Sequence, residues 1–258
     1  MNDQSGSSGD SVGTAPRISV VIACYNAGAT LAAAIESVAA QAREDVELVV
    51  IDGNSTDNTP AVIRQHADKI AYWRSESDTG IYDAWNKGII AARGQYIAFL
   101  GADDVWLPGA LDAYVGLIAA SPEAEYLSSR VQYGEGTTMR IIGQPWDWAR
   151  FQRYMTVAHV GSLHKRALFD RVGSYDDSFR ITGDYELLLR AGPTLRTAFM
   201  DKVTVRMGVG GVSSGQSLRV FDETARAKRR HTQLPDWRIA LQRWRAIAGY
   251  RIRSRLQR

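Results

Sequence analysis

The chain has 258 residues, 45% of them hydrophobic and 23% charged, with a formal net charge of +3. This length buries a sizeable core and this composition is ordinary for a globular protein, which excludes a disordered polyelectrolyte or a fibre. A lone cysteine, Cys24, excludes a disulfide framework, and no run reaches the roughly 20 apolar residues that span a bilayer.

Residues 1–16 are rich in Ser, Gly and Asp and lack the apolar segment of a secretory signal. They read as a disordered leader on a cytoplasmic chain. Residues 17–24 are almost continuously apolar, as expected of a strand buried on both faces. A turn over 25–28 leads to an Ala-rich helix over 30–42, and 46–51 is a second buried strand, ending at Asp52. Residues 54–60 are dense in capping side chains and open a helix to about His66. A third strand over 70–74, a helix over 81–92 and a fourth strand over 95–100 continue the alternation. Units at this spacing predict parallel strands, right-handed crossovers and helices on both faces. Ligands of such sheets bind outside the carboxyl ends of the strands. Asn26, Asp52, Glu76-Ser77-Asp78 and Asp103-Asp104 all fall there.

The second half is less regular. Strands over 125–133 and 137–142 flank a hairpin turn at Gly134-Glu135-Gly136, and Pro145-Trp146-Asp147-Trp148 reads as an aromatic loop. A short helix near 167–172 follows His159-Val160-Gly161-Ser162. Another opens at Gly183-Asp184, with Leu187, Leu188 and Leu189 as its buried face and Asp83 and Glu186 read as solvated helix charges.

Asp103 and Asp104 carry the most chemistry. Adjacent carboxylates at a strand end repel unless a cation sits between them, and hard oxygens suit Mg²⁺ or Mn²⁺ bound to a pyrophosphate. Taken alone, the pair equally fits a helix cap ahead of Pro108. The chain lacks GxGxxG, GxxxxGK[ST] and HExxH, so a Rossmann dinucleotide site, a P-loop and a zinc protease are all unsupported.

Charge is distributed unevenly. Residues 219–258 hold twelve Lys/Arg against three acids, a net of +9 that leaves −6 for the rest. Within this tail Trp237, Leu241, Trp244, Ala248 and Ile252 recur at helical spacing among arginines, the pattern of a helix lying at a membrane surface. Packing back on the body, or a homodimer contact, is the plainer reading. Nucleic acid is not expected beside an acidic body.

Three motifs, Ser19-Val20-Val21-Ile22-Ala23-Cys24-Tyr25-Asn26, Val50-Ile51-Asp52-Gly53-Asn54-Ser55-Thr56-Asp57 and Asp78-Thr79-Gly80-Ile81-Tyr82-Asp83-Ala84-Trp85-Asn86-Lys87-Gly88, precede Leu100-Gly101-Ala102-Asp103-Asp104. His159-Val160-Gly161-Ser162 and Gly183-Asp184-Tyr185-Glu186 follow it. In this order they resemble the inverting family 2 glycosyltransferases of GT-A fold, over about 17–214. The third motif is similar to the subgroup that builds bacterial surface polysaccharides of the colanic-acid type on lipid carriers. The resemblance implies an α/β GT-A fold, a mostly parallel sheet sandwiched by helices. A nucleotide-sugar half over 17–106 would precede a smaller mixed acceptor half over 107–215, followed by the basic helical tail over 216–258.

By the same resemblance, Ala23, Tyr25, Asp52, Asp78, Lys87 and Asp103 would bind a UDP- or GDP-sugar donor. Asp104, with Asp103, would hold Mn²⁺ or Mg²⁺. Asp184 would be the general base, and His159, Trp146 and Arg190 would lie on the side of a glycan or lipid-linked acceptor. The enzyme would work at the inner face of the cell membrane. A sugar nucleotidylyltransferase would need a basic Gly-rich loop where residues 25–28 stand, and a non-catalytic module would be expected to lose Asp104 or Asp184.

Overall fold

The computed structural model describes residues 4–7, 15–41, 43–134, 136, 139–208 and 218–256. Strands β1 (Gln4–Ser7), β2 (Ile18–Cys24), β3 (Val46–Asp52), β4 (Tyr72–Ser75) and β5 (Tyr96–Gly101) form the first half of one sheet. Strands β6 (Val105–Trp106), β7 (Tyr126–Tyr133), β8 (Arg140–Ile142), β9 (Ser162–Lys165) and β10 (Thr197–Met207) complete it. Their order is β1-β4-β3-β2-β5-β9-β7-β10-β6, with β8 paired to β7. The strands from β4 to β5 are parallel, whereas β9 runs antiparallel to both β5 and β7.

Alternation along the central strands explains their unbroken apolar runs. Ile18, Val20 and Ile22 join one buried cluster with Leu31, Ala34 and Ile35 of α1 (Leu31–Ala39). Val21 and Ala23 point the other way, into a cluster with Tyr82, Trp85 and Ile89 of α3 (Ile81–Ala91). Both faces are covered, so both parities must be apolar. Helices α2 (Thr59–Gln65) and α4 (Ala110–Ala120) complete this layering. The antiparallel half carries α5 (Trp148–Phe151), α6 (Arg166–Val172) and α7 (Gly183–Ala191), and two further helices follow, α8 (Arg219–His231) and α9 (Asp236–Leu256).

Three features depart from the sequence expectation. Within the leader read as disordered, Gln4–Ser7 pairs antiparallel with β4, whose unpaired edge offers a ready template. Strands β9 and β10 form where none was foreseen. The tail is two helices rather than one stripe, and its expected boundary at 215–216 falls outside the described residues, as does Glu135 of the hairpin turn; the flanking strands do pair, Tyr133 opposite Arg140.

Candidate functional site

Register aligns the strand ends. Cys24 lies opposite Asp52, Ala23 opposite Gly101, and Asp52 opposite Ser75, so the carboxyl ends of β2 to β5 share one rim. Asp52 is fully buried there. Its oxygens accept from the Ser55 N–H at 3.2 Å, the Ser55 hydroxyl at 2.5 Å and the Ser75 hydroxyl at 2.6 Å. It ties down the loop after β3 and exposes no surface to a nucleobase. Asp78 is the more open acid: half-buried, it accepts the Gly80 N–H at 2.9 Å, and burial raises its pKa. Tyr25 stands beside it, 65% exposed, and Ala23 closes the strand floor behind.

Lys87 is not free to grip a donor phosphate. Its ammonium donates to the Ser77 carbonyl at 2.8 Å and lies 3.4 and 3.5 Å from the Glu76 and Asp83 carboxylates. The charge braces the loop that carries Asp78. Arg180, absent from the expectation, packs its guanidinium over Gly80 on the same rim.

Asp103 and Asp104 end β5 as expected. Asp104 is buried, its two oxygens accepting the Gly101 N–H at 3.0 Å and the Gly208 N–H at 2.9 Å. Burial, and the neighbouring Asp103 charge, lift its pKa to about 6 against the pull of the Gly208 N–H. Asp103 Oδ2 is buried without a hydrogen-bond partner among the described residues. An orphaned carboxylate oxygen beside a second acid fits a hard divalent cation. No cluster of three or more His, Cys, Asp or Glu gathers among the described residues. A cation here would complete its shell with diphosphate oxygens and water.

Asp184 opens α7 on the other side. Its Oδ1 accepts the Tyr185 N–H at 2.8 Å and faces the Tyr82 hydroxyl at 3.4 Å, while its Oδ2 accepts no bond among the described residues. Burial raises its pKa to about 6, opposed by the bonds from Tyr185 and Tyr82. Tyr82 also donates to the Ile181 carbonyl at 2.8 Å, so a side chain of α3 joins the rim of strand ends to the start of α7. Gly183 permits this approach: a Cβ there would meet the Tyr82 ring at 2.8 Å.

The remaining acceptor-side assignments fare differently. His159 is buried and neutral, its ring stacked 4.6 Å from Trp85 and its Nε2 2.9 Å from the Tyr175 hydroxyl. It fills the aromatic core and offers no surface to an acceptor. Arg190 sits at the far end of α7 and clamps the Val172 and Ser174 carbonyls and Glu186. Glu186 itself is buried, bonded to Arg190 and His231, and is not a solvated charge. Trp146 is half-buried, its ring tilted 4.5 Å from that of Phe151, which lies tilted in turn 4.9 Å from Tyr185 next to Asp184.

Sequence reasoning also missed Glu223. This buried carboxylate on α8 accepts the N–H groups of Arg180, Ile181 and Thr182 at 2.9–3.1 Å, just ahead of Asp184. Burial would raise its pKa, but the three amides prevail and hold it below the usual range. An acid among twelve basic residues was the available signal.

Residues 19–170 match the family model described as glycosyl transferase family 2. A PGL/p-HBAD biosynthesis glycosyltransferase of Mycobacterium bovis is 31% identical over 210 residues, covering 78% of this chain and 80% of its own. An uncharacterized glycosyltransferase of Mycobacterium tuberculosis is 30% identical over 235 residues, covering 86% and 87%. Among solved structures, S. aureus TarS 1-349 in complex with UDP-GlcNAc superposes with a TM-score of 0.65 at 17% identity, over 86% of this chain and 69% of that one. The mannosyltransferase PcManGT from Pyrobaculum calidifontis, in complex with GDP-Man and Mn²⁺, gives 0.65 at 20% identity, over 86% and 66%. At such identities the likeness establishes the fold, a GT-A fold.

The contact between Gly183 and Tyr82 yields a direct expectation. Gly183→Ala forces the ring and the start of α7 apart, an overpacking cost of about 1–3 kcal/mol. Chemical denaturation should register it, and an unchanged midpoint would refute so tight an approach.

Proposed function

The chain belongs to glycosyl transferase family 2, and from that premise we propose a metal-dependent, inverting transfer of a sugar from a nucleotide-sugar donor to a hydroxyl of a lipid-linked glycan. One observation carries this reading: Asp184, its pKa lifted to about 6 and one oxygen unspent, is coupled through Tyr82 to the helix that borders the donor rim. Such a carboxylate is matched to accepting a proton near neutral pH. A neighbouring structure holds UDP-GlcNAc and another GDP-Man with Mn²⁺, which favours a UDP-sugar here and keeps a GDP-sugar second.

The acceptor oxygen attacks the anomeric carbon opposite the leaving diphosphate. The carbon–oxygen bond to the diphosphate breaks as the new glycosidic bond forms, and the acceptor proton passes to Asp184 Oδ2. Asp103 and Asp104 would hold Mn²⁺ or Mg²⁺, which supplies charge neutralisation to the departing diphosphate. Asp78, Tyr25 and Ala23 shape the nucleoside end.

Asp184→Asn keeps the volume but cannot take the proton, so kcat should fall at least about 10²-fold with donor affinity near wild type. In the wild type the ionised carboxylate is the active form, so kcat/KM should decline as pH falls through about 6. A flat profile between pH 5 and 8 would remove Asp184 from this role. The metal assignment is tested separately. Asp104→Asn should abolish transfer and Mn²⁺-dependent nucleotide binding, and full activity in EDTA would sink it.

Membrane contact belongs to the same proposal. No helix among the described residues is long and apolar enough to cross a bilayer, yet Trp237, Trp244 and Ile252 of α9 are 67%, 65% and 61% exposed. A tryptophan stripe bordered by arginines suits a peripheral position at the inner face of the cell membrane, where a lipid-linked acceptor would be presented. Binding to anionic liposomes should weaken with salt, and Trp244→Ala should weaken it further at high salt, where apolar insertion dominates. Indifference to anionic liposomes at low salt would end this reading.

A further inference from the structure

Helices α8 and α9 do more than extend the chain. With the start of α7 they enclose a cavity of about 310 Å³, the lower end of the range for small-molecule sites. Much of its wall is apolar, from Met155, Ile181, Val220, Phe221, Ala225 and Ile239. Most of the polar groups in the lining are spent on the protein itself. Lys228 donates to the Arg153 carbonyl and to Gln242 Oε1, both at 2.7 Å, bracing α8 against α9. Arg243 pairs with Asp222, and the Thr224 hydroxyl donates to the Val220 carbonyl.

Two groups, two positions apart in the chain, are unspent. Asp184, also in the lining, keeps Oδ2 open. Thr182 lines the cavity too, 93% buried, and its hydroxyl has no hydrogen-bond partner among the described residues. A buried hydroxyl left unbonded, in the same lining as an open carboxylate, marks a place for a polar atom of a ligand. The rest of the wall rejects one. A sugar ring presents hydroxyls in every direction and would leave most of them unbonded against Phe221, Val220 and Ile239, whereas an apolar group gains by leaving water.

We propose that this cavity binds an apolar aglycone of the acceptor, an aryl or short alkyl group one ring or less from the reacting hydroxyl, with that hydroxyl held between Asp184 and Thr182. The proposal rests on reading Asp184 as the base and goes further by naming what adjoins the accepting oxygen. The walls from α7, α8 and α9 lie beyond the 19–170 segment that matches the family model, which contributes Arg153, Tyr154 and Met155 to the lining.

Binding and turnover are measured separately on the full chain. Ligand-observed NMR should detect saturable binding of a phenyl or octyl glycoside and none of the matching methyl glycoside. Ala246→Trp, at the exposed rim, and Ala225→Leu, from within, should each weaken that binding at least tenfold, while nucleotide binding with Mn²⁺ stays at wild type and confirms folding. In transfer assays the aryl or alkyl acceptor should exceed the methyl glycoside at least tenfold in kcat/KM. Thr182→Val should lower kcat/KM on both acceptors without altering nucleotide binding. Equal binding of the two glycosides, or binding indifferent to both cavity variants, would overturn the proposal. Aglycone binding that persists with no sugar transfer from any UDP- or GDP-sugar would leave the pocket standing and overturn the transferase mechanism instead.

Discussion

One carboxylate from the basic tail fixes the edge of the molecule that carries Asp184. Glu223 gathers three successive backbone N–H groups, those of Arg180, Ile181 and Thr182, and Arg219 one turn earlier on α8 balances its charge at 2.8 Å. Hydrogen bonds to a charged acceptor contribute about 1.5–3 kcal/mol each. Removing this acceptor would leave three amides without their partner at the head of α7. The conformation of Asp184 follows from this clasp, as does the seating of α8 that closes the cavity beside it. The tail is therefore part of the site in a structural sense, whatever surface its outer face meets.

Across the sheet a second coupling meets the first. The Tyr82 hydroxyl reaches both the Ile181 carbonyl and Asp184, so the loop that Glu223 holds by its N–H groups is held by its carbonyl from α3. The rim of strand ends and Asp184 are thus parts of one packed unit, joined at a glycine because only a glycine lets the ring come so near. In the proposed reaction such bracing would keep an attacking hydroxyl aligned with the anomeric carbon, where small displacements cost large factors in rate.

The nucleotide half was legible because each buried strand is an unbroken apolar run and each crossover has its own capping signals. The antiparallel half was not. β10 mixes half-buried residues with the exposed pair Asp201 and Lys202, and its register with β7 shifts between Phe199 and Val205, so no clean alternation marks it. For the site, the sequence places Asp103, Asp104 and Asp184 at element ends, where the structure also has them. It does not foresee the internal partners of Lys87, His159 and Arg190, which are distant in sequence or set by local turns. A titratable side chain advertises chemistry, but only its neighbours decide whether that chemistry is spent internally. Glu223 is the converse, a residue hidden by the charge of its surroundings.

The tail also shows how a composition can mislead about an interface. Among the described residues Arg219, Arg229, Arg230 and Arg243 are committed to Glu223, Asp236, Asp176 and Asp222, and Arg226 lies 3.7 Å over the Phe179 ring. Three of these four acids belong to the tail and are already counted in its +9, so those pairs hold the tail together, while Arg230 ties it to the body at Asp176. On α9 the docking leaves Trp237, Trp244 and Ile252 exposed together with Arg238, Arg245 and Arg251, while Ile239 turns inward at 1% exposure to wall the cavity. The two faces divide the work by geometry. Inward-facing Ile239 shapes what lies next to Asp184, and outward-facing Trp237 and Trp244 remain available to an apolar boundary. On the proposed function, an amphipathic acceptor would meet both demands at once, its apolar part lying against the protein on one side and a lipid surface on the other.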